Sequence, residues 1–119
     1  MPQKIAAGNW KMNGTRSSLS EIQAIAEAAQ DIDCTAILCP PAPLIHSAAG
    51  LAGPLAIGGQ NCHHAKSGAF TGDISAAQLV DCGASYVILG HSERREGYGE
   101  SNTLVRDKAQ EALRAGLIP

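Results

Sequence analysis

The residues able to do chemistry stand at the ends of short apolar runs. Asn9 and Lys11 follow the run from Lys4 to Gly8. Gln60 and Asn61 follow the run from Leu55 to Ile57, and His91 and Glu93 follow the run from Tyr86 to Leu89. Lysine is a fixed cation at neutral pH, whereas histidine changes charge near it. With a glutamate they are the residue types of general acid–base chemistry beside a developing charge. Taken singly, each also has a plainer reading: Lys11 as a solvated lysine, His91 as a hydrogen-bonded structural histidine, Glu93 as an acid in a helix's first turn, Asn9 as a turn cap. Cys62-His63-His64 is the only sequence that invites a metal. Adjacent histidines point in different directions and the paired-ligand spacing of a zinc site is absent, so no metal is expected. His46, His63 and His64 read as structural or surface residues.

Elements of alternating kind must position these groups. Ser18-Leu19-Ser20-Glu21 has the spacing of a capping box, and Leu19, Ile22, Ile25, Ala26 and Ala29 continue it as one apolar helical stripe. Thr35 to Cys39 is a second apolar run, stopped by Pro40-Pro41. Leu44, Ile45, Ala48 and Ala49 predict a short helix ending near Gly53. Ser75-Ala76-Ala77-Gln78 has the spacing of a second capping box, on a helix that Gly83 should close. Leu104, Val105, Ala109, Ala112 and Leu113 mark a further helix with Gly116 at its C-terminal cap, and Leu117-Ile118 opens a fifth apolar run. Strand and helix alternate with short linkers, which means β-α units and a parallel sheet. The runs are nearly continuous rather than alternating, as strands covered on both faces require. Residues 1–119 read as one domain with no linker or low-complexity segment.

Composition narrows the function classes. A net charge of -2 over 119 residues, with no Lys/Arg run, argues against sequence-independent nucleic-acid binding. No run of 18 apolar residues is present, so no membrane span is expected. The apolar stretch near the N-terminus is too short for a signal peptide, and a cytoplasmic location follows as the default. Cys34, Cys39, Cys62 and Cys82 form no C-x-x-C pair and are expected to stay reduced. Neither G-x-G-x-x-G nor G-x-x-x-x-G-K-[ST] occurs, which removes the dinucleotide fingerprint and the P-loop.

Three segments resemble one family. Ala7-Gly8-Asn9-Trp10-Lys11-Met12-Asn13-Gly14 is similar to the first active-site loop of the triosephosphate isomerases. Gly59-Gln60-Asn61-Cys62 with Gly68-Ala69-Phe70-Thr71-Gly72-Asp73-Ile74-Ser75 resembles that family's third loop, and Ile88-Leu89-Gly90-His91-Ser92-Glu93-Arg94-Arg95 its fourth. The three occur in the family's order and spacing.

The resemblance implies an α/β fold made of the first four β-α units of a (β/α)8 TIM barrel, ending at the start of strand five. It implies interconversion of glyceraldehyde 3-phosphate and dihydroxyacetone phosphate through an enediolate, with no cofactor. His91 would polarise the substrate carbonyl and shuttle protons from the start of a short helix, where the positive end of the helix dipole would keep the imidazole neutral. Lys11 would supply positive charge to the enediolate and the phosphate. Asn9 would orient Lys11 and donate to the substrate oxygen, and Glu93 would pair with Lys11. Thr71, Asp73 and Arg94 would lie at a homodimer interface, with Asp73 facing Arg94 across it; many relatives carry Glu at that position.

The family's glutamate base lies on strand six and its phosphate loops follow strands seven and eight, so none has a position among these 119 residues. The chain by itself is therefore expected to be inactive, with two open sheet edges and a tendency to self-associate. A complementary C-terminal half would complete it. Two other readings stand beside the isomerase: a half-barrel that folds and assembles without catalysis, and an anion-binding module that keeps Lys11 and His91.

Overall fold

The computed structural model describes residues 2–119. Four parallel strands lie in the order β1-β2-β3-β4: β1 (Ile5–Asn9), β2 (Thr35–Cys39), β3 (Ala56–Gly59) and β4 (Tyr86–Val87). Helices α1 (Leu19–Ala29), α2 (Ala42–Leu51), α3 (Ala76–Asp81), α4 (Ser92–Tyr98) and α5 (Asn102–Ala115) fill the connections. Ile5 pairs with Thr35 and Asn9 with Cys39, Leu38 pairs with Ile57, and Gly59 pairs with Val87. Each strand therefore sits beside its neighbour in sequence, and all four deliver their C-terminal ends to one side. Beyond α5, Ile118 bridges Tyr86 in parallel, with the Val87 amide donating to the Ile118 carbonyl at 3.0 Å.

The core lies between the sheet and the helices. Ile22 and Ala26 of α1, Ile45 and Ala48 of α2, Leu79 of α3 and Ala112 of α5 pack with Leu38, Ile57 and Val87 of the strands. Burying one side chain such as Ile22 contributes about 1.5–3 kcal/mol. Burial is uneven across the sheet. Ile37, Leu38 and Cys39 are buried, whereas Ile5 is 52 % exposed and no residue of β1 is buried. An apolar run is thus no guarantee of cover on both faces: β1 is an edge strand among the described residues, and none of its residues is packed over.

Two local expectations differ from the structure. The box expected between Ser18 and Glu21 does not form. Arg16–Ser18 make a 3-10 turn first, so Ser18 is already helical (φ -81°, ψ -7°) and its Oγ accepts the Thr15 amide at 3.1 Å. The run Tyr86 to Leu89 is in strand conformation only at Tyr86–Val87. Beyond it the Ile88 amide still reaches the Gly59 carbonyl at 2.9 Å, and the chain then turns away through Gly90. The box at Ser75 does form: its Oγ accepts the Gln78 amide while Gln78 Oε1 accepts the Ser75 amide.

Candidate active site

The first strand's loop is held by its own polar groups. Asn9 ends β1, and its Oδ1 accepts the Lys11 amide at 2.8 Å. The Trp10 amide donates to the Cys39 carbonyl at 3.1 Å, and Asn13 Nδ2 donates to the Trp10 carbonyl at 2.9 Å. These bonds draw Lys11 into the left-handed region at φ 56°, the only non-glycine residue with positive φ among those described. That conformation costs a side-chain-bearing residue about 1–3 kcal/mol and persists only where the surroundings enforce it.

The fourth strand's loop brings the histidine. Gly90 takes φ 64°, and a Cβ there would meet Val105 Cγ1 at 2.9 Å. Arg95 Nε donates to the Gly90 carbonyl at 2.8 Å and its Nη1 reaches Asn102 Oδ1 at 2.7 Å, which pins the turn against α5. His91 caps α4, its Nδ1 accepting the Glu93 amide at 3.3 Å. Accepting that bond leaves the proton on Nε2, so the ring presents a donor on its far side. Glu93 Oε2 also touches His91 Nδ1.

Glu93 joins the two loops. Its Oε1 lies 2.7 Å from Lys11 Nζ, and both side chains are more than half exposed. The hydrogen bond from Lys11 is the main reason the Glu93 carboxyl is held below its usual range; partial desolvation opposes this, and His91 adds to it. Asn9, Lys11, Gln60, His91 and Glu93 line one cleft of about 510 Å³, at the C-terminal ends of the strands. In parallel β-α folds that end is where loops from several strands converge on a ligand.

Of the three residues expected at an interface, Thr71 alone stands apart from that group. Thr71 is exposed on the long loop before α3 and does not line the cleft. Asp73 and Arg94 both reach its wall. Within the chain Arg94 is engaged elsewhere, with Nε 2.6 Å from Glu100 Oε2 and its guanidinium 4.5 Å over the Tyr98 ring. His63 stacks on His64 and meets the Phe70 ring at a tilt, His46 is exposed, and Trp10 packs against the core.

One buried cluster escaped the sequence reading. Glu100 and Lys108 are 7 % and 5 % exposed. Lys108 Nζ lies 2.7 Å from Glu100 Oε2 and 3.0 Å from Asn61 Oδ1, so with Arg94 the cluster ties the third loop, α4 and α5 together. Burial opposes the charge on Glu100, but hydrogen bonds from Lys108 and Arg94 outweigh it and hold the carboxyl low. A signal was available. Leu104, Lys108 and Ala112 are spaced i, i+4, i+8, which places Lys108 on the buried stripe of α5.

Comparison with known proteins adds to this geometry. The family model described as triosephosphate isomerase matches residues 4–119. The chain belongs to the triosephosphate isomerase family. It is 52 % identical over 118 residues to the triosephosphate isomerase of Ruegeria sp. (strain TM1040), and 54 % identical over 120 residues to that of Ruegeria pomeroyi. Each alignment covers 99 % of this chain and 48 % of the relative. The crystal structure of triosephosphate isomerase from Bartonella henselae superposes with a TM-score of 0.93 at 50 % identity, over 98 % of this chain and 49 % of that one. The four units match the N-terminal half of a TIM barrel. The chain spans about half the length of the relatives it matches.

Proposed function

We propose that this chain supplies the lysine, the histidine and their linking glutamate to a triose-phosphate isomerase that interconverts D-glyceraldehyde 3-phosphate and dihydroxyacetone phosphate. What supports the reading is the convergence of Lys11, His91 and Glu93 on one cleft, from the loops after β1 and β4. A base removes the proton next to the substrate carbonyl and the carbonyl oxygen gains negative charge. His91 Nε2–H donates to that oxygen, and the Lys11 ammonium stabilises the enediolate and the phosphate. The base returns its proton to the neighbouring carbon while His91 passes the hydroxyl proton from one substrate oxygen to the other, and the two transfers together complete the exchange. Asn9 holds Lys11 by its amide. The base is a glutamate outside these 119 residues, so the chain alone does not turn over and a C-terminal half must complete the barrel. Side chains suffice for this chemistry, and the setting is cytoplasmic glycolysis and gluconeogenesis.

In the working protein two such subunits pair. The loop carrying Thr71 docks into the neighbouring subunit, with Asp73 set against Arg94 of the other copy. Exposure of Met12 (94 %) and Tyr98 (74 %) is the apolar surface that such pairing would cover.

The deciding experiment mixes the 119-residue chain with the complementary half and measures isomerisation of glyceraldehyde 3-phosphate. Activity that appears only in the mixture, and that Lys11→Ala abolishes, is expected. Turnover by the chain alone would overturn the division of roles. An assembled but inert mixture would leave a non-catalytic half-barrel, and phosphate binding without turnover would leave an anion-binding module.

A further inference from the structure

We propose that Gln60 is a positioning residue for Lys11: its amide clamps the lysine's backbone in the left-handed conformation that carries the ammonium to the cleft. Gln60 follows β3, and its Nε2 donates to the Lys11 carbonyl at 2.7 Å and to the Cys39 carbonyl at 2.9 Å. Both acceptors are carbonyls, so the amide presents its NH2 group and both protons are committed. Lys11 is then gripped on either side of its Cα, by Asn9 Oδ1 at its amide and by Gln60 at its carbonyl. Those two bonds bracket the one non-glycine residue with positive φ among those described.

The clamp is not there to satisfy the carbonyls. That of Cys39 already accepts the Trp10 amide at 3.1 Å, and that of Lys11 belongs to an exposed loop residue. What the two bonds add is geometry, since one side chain fixes the ends of β1, β2 and β3 relative to one another. Gln60 also lines the cleft, but with both protons used it holds Lys11 rather than donating to a substrate.

The catalytic consequence rests on the isomerase reading, whereas the clamp itself can be tested without turnover. In the unsubstituted protein, with the complementary half present, NMR exchange of the Gln60 side-chain NH2 is compared with exposed Gln23 and Gln30. Slowed exchange at Gln60 is expected, and exchange as fast as at the exposed pair overturns the clamp even if no variant folds. Gln60→Met then removes both donors while keeping the length of the side chain. With the Glu93 carboxyl carbon observed, its titration is expected to move upward in Gln60→Met, toward its position in Lys11→Met. Isomerase kinetics should lose on the order of 10- to 100-fold in kcat/KM, with KM rising as kcat falls, because Lys11 is displaced rather than removed. A role confined to stability would lower the folded fraction and leave KM and the Glu93 titration where they were; that result overturns the proposal. If the unsubstituted protein shows no isomerisation, the functional reading fails while exchange and titration still judge Gln60.

Discussion

Lys11 Nζ and Glu93 Oε1 lie 2.7 Å apart, across the loops that follow the first and fourth strands. With 60 % and 51 % of these side chains exposed, the pair adds little to stability, since exposed ion pairs are worth about 0.2–1 kcal/mol. Its use is positional: it sets an ammonium and an imidazole at fixed places around one carboxylate.

Glu93→Gln should therefore separate function from stability. Chemical denaturation is expected to show a loss below about 1 kcal/mol. Isomerisation by the assembled barrel should fall on the order of 10- to 100-fold, as misplaced catalytic groups do. A large stability loss with unchanged kinetics would reverse the assignment.

Glu100 should dominate the acid limb of stability. Its carboxyl is held below the ordinary value of 4.5, so its contribution is complete above that pH and is lost as pH falls through the lowered folded value. Glu100→Gln leaves Lys108 and Arg94 without their anion and is expected to cost about 3–5 kcal/mol at neutral pH, as broken buried pairs do. Urea midpoints between pH 3 and pH 7 check this: the variant's curve should be flatter than that of the unsubstituted protein.

Gly90→Ala tests the turn that delivers His91. The added methyl meets Val105 at 2.9 Å, on a backbone at φ 64°. A loss of about 1–3 kcal/mol is expected from the backbone alone, together with displacement of His91. Thermal unfolding and the His91 ring chemical shifts read the two effects separately.

The thiols should label in two groups. Burial pushes Cys39 and Cys62 up to about 11, while Cys34 and Cys82 are only half-buried. Iodoacetamide at pH 8 is expected to modify Cys34 and Cys82 first, with peptide masses as the readout. Above about pH 9 the unfolded thiols release protons that the folded ones keep, so the folded state should lose stability there.

The four units were legible because apolar periodicity and glycine stops repeat along the chain. Helix α5 announces itself from Leu104 to Gly116 and takes its glycine cap at φ 100°. Helix α4 has no buried residue, hence no apolar stripe, and only the resemblance around His91 implied it. The Ser18–Glu21 spacing misled because a cap depends on backbone conformation as well as residue type, and Ser18 had already entered the turn. Gln60 stood out by its place after β3, but its role depends on two carbonyls from other strands, which no local pattern reports.

The uneven burial of the sheet has a mechanical meaning. Within this chain Lys11 hangs from β1, the strand with no buried residue, and such a strand is a compliant support. The well-buried residues lie in β2 and β3, and from there come the Cys39 carbonyl and the Gln60 amide that reach across to the lysine's loop. The stiffness of Lys11 is thus imported sideways, strand to strand. Softening β2 or β3 would loosen the lysine's loop, although both strands are distant from it in sequence.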